Sequence, residues 1–399
     1  MTPHHVLPRL AAYFHVVWLE PAHHWREIRA INRRPSSPEV AALLPKSFDR
    51  YVPESWLPDI YRPTWLRRAM FRARLRRAWR RLDRAGCRAR VLHLWHPQFE
   101  YALDVPGYDL SLYHVDDEYA FTTDAPPVGV QEARVLGKVD QVFAISPRLL
   151  ERKGGINANM AFAPEGVDFR LYATGVPEPD DLARIGRPRI GYTGHLKTQL
   201  DWPLLASLAR RHREWSFVFV GPRKELSETQ AAAFDEMAAM GNVHFLGPKT
   251  VTQLSAYPQH FDVCIMPYTV DGYTNNIYPL KLHEYLASGA PVVGSPIRTL
   301  QDFPDVVTLA DTLEDWSGAL AAALDPAVRT PAATQGRQDT ARRYDWGEII
   351  YGIAETICRR LGPDYLRRLK RVETSVESAA GPDVPPFTAS NELVTVRRS

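Results

Sequence analysis

Two short stretches carry residues whose types and spacing can do chemistry. The run DLSLYHVDDE passes from an apolar segment straight into three acids, Asp116, Asp117 and Glu118. Adjacent carboxylates repel one another, which raises at least one pKa and makes a better proton acceptor near neutral pH. The second run, NNIYPLKLHEYLASGAPVV, sets Asn275 and Asn276 ahead of Pro279, a residue suited to the first helical position, with Lys281 and Glu284 in the turns that follow. Free backbone amides near 277–280, with Lys281 beside them, suit a diphosphate. Glu284, one turn further in, can accept hydrogen bonds from ribose hydroxyls. The alternatives are a surface ion pair between Lys281 and Glu284, and for the three acids a helix-capping cluster or a metal-binding motif.

Elements that place such residues are legible on both sides. From about residue 186 onward, RPRIGYTG, WSFVFVG, NVHFLG, FDVCIMPY, APVVG and VVTLAD read as short buried strands separated by helix-length amphipathic segments. That alternation predicts a parallel, doubly wound sheet whose ligand end lies beyond the strand carboxyl ends. Gly191, Gly194 and His195 then fall in a strand-to-helix glycine turn where backbone approaches phosphate, and Lys197 either adds charge or is a solvated loop lysine. In the amino-terminal half FHVVWLEP, ARVLHLWHP, DLSLYHVDDE and VDQVFAIS are strand candidates, which makes a second α/β domain whose first strand is missing or cryptic. His96, at one strand end, lines a ligand or is structural. The turn-rich residues 166–185 read as a hinge, and the Pro/Ser/Thr-rich residues 372–399 as disordered.

Composition sets the outer limits. The 399 residues, 45% hydrophobic, suffice for two cores, and a formal charge of only +3 gives no global field for nucleic acid. Three widely spaced cysteines without CxxC spacing point to a reducing cytosol and to no structural metal. No apolar stretch reaches the roughly 18–20 residues of a membrane span, so any membrane contact is expected to be peripheral. One segment, WLRRAMFRARLRRAWRRLDRAGCRAR, is strongly basic. Phe71, Leu75, Ala78, Trp79 and Leu82 recur at helical spacing, and Arg67, Arg74, Arg77, Arg80, Arg81 and Arg84 occupy the remainder. Such a helix shows arginine to anionic lipid headgroups, is a solvated face, or, as a third option that no recognition motif accompanies, binds RNA or DNA.

PLKLHEYLASGAPVV, preceded by MPY and followed by GSP, resembles the donor-site segment of GT-B glycosyltransferases, family-4-like enzymes and their bacterial exopolysaccharide relatives. PEGVD, YTGHL, FVFVG and NVHFLG extend the resemblance in order over nearly the whole chain. The resemblance implies two Rossmann-like domains facing across a cleft: residues 1–165 for the acceptor, 186–342 for a nucleotide sugar, UDP-linked by expectation, and 343–371 as helices crossing back to the first domain. It implies that Glu284 contacts the nucleotide ribose, that Lys281 contacts phosphate, that Asn275, Asn276 and Tyr278 face the donor, that Asp117, with Asp116, is the base, and that His96 lies on the acceptor side. No metal or cofactor is expected beyond the donor. Partners would be a glycan or polyprenyl-linked acceptor and the inner face of the plasma membrane, not nucleic acid. One departure stands out: the family's paired glutamates, seven residues apart, would place the first at 276, where this chain has Asn276. An amide cannot carry that negative charge. A nucleotide-sugar 2-epimerase and a non-catalytic polysaccharide-assembly protein remain as alternatives on the same fold.

Overall fold

The computed structural model describes residues 2–20, 22, 45–60, 62–119, 128–372 and 393–397. They divide into two compact units, one made of Met1–Pro164 with Ile349–Ser399 and the other of Glu165–Glu348.

In the first unit β1 (His15–Leu19), β2 (Phe48–Tyr51), β3 (Val91–Leu94), β4 (Leu110–Val115), β5 (Gln141–Ala144) and β6 (Met160–Phe162) share one sheet with the strand Leu393–Arg397. The order is β2, β1, Leu393–Arg397, β3, β4, β5, β6. β1 and β2 pair in parallel, as do β3 to β6; the late strand runs antiparallel between β1 and β3. That strand corrects the expectation of disorder for LVTVR, whose β-branched residues suit a ladder. The rest of 373–399 lies outside the described residues.

The basic helix Thr64–Arg84 buries Phe71, Leu75, Ala78, Trp79 and Leu82, the stripe its periodicity predicted. Its arginines divide differently from the expectation. Arg74 is buried and meets Asp59 at 3.2 Å, Arg77 meets Glu54 at 3.6 Å, and Arg81 meets Asp49 at 2.9 Å. Those three therefore leave the set offered to lipid, because neighbouring carboxylates already neutralise them. Arg67 lies over the Tyr101 ring, while Arg80 and Arg84 are exposed.

Two histidines on adjacent strands, His93 on β3 and His114 on β4, are fully buried, and Trp95 stacks on His114 at 4.2 Å between centroids. Burial drives His93 down to about 3 and His114 well below its ordinary value. Between pH 6.5 and about 3 the unfolded chain takes up protons that these rings refuse, so folding stability must fall as pH falls, by at most about 1.4 kcal/mol per pH unit for each ring. The urea midpoint is expected to drop between pH 7 and pH 5, and His114→Phe to flatten the drop. Equal slopes for the two proteins would refute the assignment.

The second unit is a six-stranded parallel sheet of β7 (Arg189–Thr193), β8 (Ser216–Val220), β9 (Val243–Phe245), β10 (Val263–Met266), β11 (Val292–Gly294) and β12 (Val307–Leu309), ordered β12, β11, β10, β7, β8, β9. Counted from β7 this is 3-2-1-4-5-6, the Rossmann order, which reverses between β7 and β10. The strands are apolar runs because helices cover both sheet faces. Asp201 caps the helix Trp202–Arg211, and Ser227 with Gln230 boxes the start of Glu228–Ala238. Residues 166–185, read as a hinge, are built into this unit: Tyr172 and Leu182 sit in its core, and Val167 exchanges backbone hydrogen bonds with Tyr344 and Trp346 at 2.9 and 3.0 Å.

Candidate functional site

The sheet order selects the gap between the carboxyl ends of β7 and β10, since loops and helix starts diverge there and leave a crevice. Gly194, just beyond β7, has φ +120°, and a Cβ on it would lie 3.3 Å from Lys281 Cε and 3.4 Å from Nζ. Gly221, beyond β8, has φ +149°, and its Cβ would fall 2.0 Å from the Gly194 carbonyl oxygen. Only glycine permits this backbone-on-backbone approach. Lys281 opens the helix Lys281–Ser288, which ends at Gly289 in the left-handed conformation (φ +80°). Its ammonium donates to the Tyr268 hydroxyl at 3.2 Å and lies 5.1 Å from the centre of the Tyr192 ring. Burial works against that charge, but the surrounding phenols and Glu284 outweigh it and hold the ammonium above its ordinary value.

Glu284 lies one turn along, hydrogen-bonded to the Tyr172 hydroxyl. Burial raises its carboxyl, with Lys281 and Tyr172 pulling it back. His195 is half-buried; burial lowers it first, and then the positive charges of Lys224, Lys197 and Lys281. Three ammonium groups thus act on one point beyond β7. Lys224 escaped the sequence reading, although GPRK directly after the apolar run FVFV was the available signal.

The asparagine pair separates into two roles. Asn275 is a brace: its Nδ2 donates to the Asp271 carbonyl and its Oδ1 accepts from the Arg298 amide, both at 2.9 Å. Asn276 is buried, donates from Nδ2 to the Gly272 carbonyl, and leaves Oδ1 without a hydrogen-bond partner among the described residues.

Two expected donor contacts are corrected. Gly191 lies inside β7, and a Cβ there would fall 2.0 Å from the Phe261 ring, so its role is packing. Tyr278 is buried, its hydroxyl 2.7 Å from His283 Nε2, in an aromatic cluster where His283 stacks on Tyr344 at 3.9 Å. An aromatic residue just ahead of a helix looked available for a ligand; the core uses it instead.

In the first unit the three acids follow β4 as expected, but they are not equivalent. Glu118 is buried and paired with Lys153 at 3.1 Å and Arg152 at 3.3 Å, and Lys153 also meets Glu132 at 2.7 Å. It is therefore structural. Asp116 and Asp117 remain. Burial, with repulsion from Asp117, pushes Asp116 up to about 6 against a hydrogen bond from the Tyr119 hydroxyl, 2.7 Å from its Oδ1. Burial also raises Asp117, whose Oδ1 accepts the Glu118 amide at 2.8 Å. His96 packs edge-on against Tyr119 at 4.7 Å, while its Nδ1 accepts the Gln98 amide at 3.1 Å. This ring is thus a helix cap that also fixes Tyr119.

Residues 187–327, the segment that builds this crevice, match the family described as Glycosyl transferases group 1. A curated relative, the putative teichuronic acid biosynthesis glycosyltransferase TuaH of Bacillus subtilis (strain 168), is 30% identical over 170 residues, covering 41% of this chain and 42% of the relative. This match therefore spans about two fifths of the length of either protein. Among solved structures, a trehalose-6-phosphate synthase from E. coli bound with UDP-2-fluoro glucose aligns with TM-score 0.56 at 13% identity, over 76% of this chain and 79% of that one. An alpha,alpha-trehalose-phosphate synthase (UDP-forming) from Burkholderia vietnamiensis aligns with TM-score 0.55 at 16% identity, over 75% and 81%. At such identities the likeness is one of fold, and it agrees with two Rossmann-like units of the GT-B class.

Proposed function

We propose that this protein transfers a sugar from a nucleotide donor, UDP-linked, to a glycan or lipid-linked acceptor in cell-surface polysaccharide synthesis. The observation that carries the reading is the Lys281 tip set against Gly194 at the reversal point of the second sheet, with Glu284 one turn away and the charges of Lys224 and Lys197 also acting on His195. Three cations beside a glycine turn stabilise the diphosphate that departs, and such stabilisation is worth most where charge develops during the reaction. Glu284, kept in a polar setting by Tyr172, takes the ribose hydroxyls. Asn276 presents its open amide oxygen to a hydroxyl of the donor sugar. The acceptor hydroxyl loses its proton to Asp117, with Asp116 beside it. The family match over 187–327 supports glycosyl transfer, and the polysaccharide role in the relative's name supports the product class.

The test is a thermal-shift panel of UDP-, GDP- and dTDP-sugars. A ligand that binds the folded state raises its stability by mass action, about 2.7 kcal/mol at a hundred times its dissociation constant. UDP-sugars are expected to raise Tm, and Glu284→Ala to diminish the rise. Indifference to every nucleotide sugar would end the donor-site assignment.

A further inference from the structure

A buried charge cluster borders the acidic turn after β4. Lys153 ends the helix Pro147–Lys153, is fully buried, and sets its ammonium 3.1 Å from Glu118 and 2.7 Å from Glu132. Three elements meet there with that helix: Glu118 belongs to the turn, Glu132 to the helix Val130–Lys138, and Tyr113 of β4 donates from its hydroxyl to Glu132 at 3.2 Å. Arg152, partly exposed, adds a second cation to Glu118 at 3.3 Å. Taking an ammonium and two carboxylates out of water costs about what their attraction returns, and apolar side chains of like volume would hold the helices at least as well. Stability alone is therefore a poor reason for the cluster. Its reach into the turn is specific. Glu118 is peptide-bonded to Asp117, whose Oδ1 accepts the Glu118 amide at 2.8 Å, and the same ammonium lies 5.8 Å from the centre of the Tyr119 ring. The Tyr119 hydroxyl in turn reaches Asp116 Oδ1 at 2.7 Å and the Trp95 carbonyl oxygen at 3.1 Å. Burial raises Asp117, and the Lys153 charge opposes that rise.

We propose, resting on Asp117 as the base, that Lys153 is a positioning residue for sugar transfer: by clamping Glu118 against Glu132 it fixes the backbone of the turn, and so the direction in which the Asp117 carboxylate meets the acceptor hydroxyl. A loose turn gives a base many orientations, and only the one aligned with the acceptor proton is productive. Glu118 cannot hold the turn by itself, since a buried carboxylate without a cation takes up a proton or turns toward water. Lys153 supplies a fixed anchor, because it closes a helix whose start is capped by Ser146, the Leu149 amide donating to its Oγ at 3.2 Å.

The variant Lys153→Met/Glu132→Gln tests it in the full chain. The two changes remove one charge of each sign, methionine keeps the bulk of the lysine stem, glutamine still accepts the Tyr113 hydroxyl, and Arg152 remains beside Glu118, so folding should survive. A crystal structure of the variant is expected to show the Asp117 carboxylate displaced by about 1 Å with β4 unmoved, a misplacement that costs up to about a hundredfold in turnover. UDP released from UDP-glucose or UDP-N-acetylglucosamine, with a bacterial cell-surface glycan as acceptor, reads that loss. On the high-pH plateau kcat per folded protein should fall, while the rise in Tm with donor stays that of the parent. Added to Asp117→Asn, the same two changes should cost nothing more, because a residue that acts only through the base then has nothing left to orient. An unmoved turn, parent-like kcat, or losses that multiply in the triple variant would overturn the proposal while Asp117→Asn alone stays impaired. Near-parent turnover of Asp117→Asn would instead remove the base itself, and this role of Lys153 with it.

Discussion

Lys281→Met is expected to reduce transfer from a UDP-linked donor by about a thousandfold in kcat, the upper range for losing one preorganised donor at developing negative charge. Methionine matches the lysine stem in length and packs between the Tyr192 and Tyr268 rings, so the fold should survive. The substitution removes one ammonium from the proposed diphosphate site. Lys281→Arg should rescue poorly, because a planar guanidinium does not reproduce the compact ammonium that donates to the Tyr268 hydroxyl at 3.2 Å. Gly194→Ala crowds the lysine tip and adds strain at φ +120°. Steady-state kinetics with a melting curve decides the matter: normal turnover by a folded Lys281→Met protein would remove the phosphate role.

Much of this arrangement was legible before any coordinates, and the reason is physical. Strands of a covered parallel sheet must be apolar on both faces, so β8 and β10 appear as unbroken runs, FVFV and VCIM. β2 was not legible: FDRY carries Asp49 and Arg50, which look solvated until Arg81 and Glu20 pair with them. Likewise the periodicity of the basic helix gave its buried side, whereas the division of its arginines depended on acids from residues 49–59, which no spacing within the helix reports. Tyr172 reaches Glu284 across more than a hundred residues of chain. Asn275 and Asn276 are neighbours in sequence with opposite uses, because only the first meets the Arg298 amide. Contacts made across the fold decide such cases, and local pattern is silent about them.

The acidic turn after β4 yields the second large effect. Asp117→Asn is expected to lower kcat by roughly a hundred- to ten-thousandfold, the usual range for removing a general base, with donor-induced stabilisation intact because the residues proposed to hold the nucleotide lie in the other unit. The base must be ionised to accept the acceptor proton, so kcat/KM should rise with pH and level off above about 6, where Asp116 loses its proton. Below that value a proton held near Asp116 removes one of two repelling charges and weakens its neighbour as a base. Asp116→Asn keeps the shape of the Tyr119 contact but removes the charge, and it should shift the acidic limb to lower pH while sparing most of the plateau rate. Exchanged outcomes, a collapse with Asp116→Asn and a shifted limb with Asp117→Asn, would transfer the role of base to Asp116. Near-parent rates for both variants would place the base outside this turn altogether.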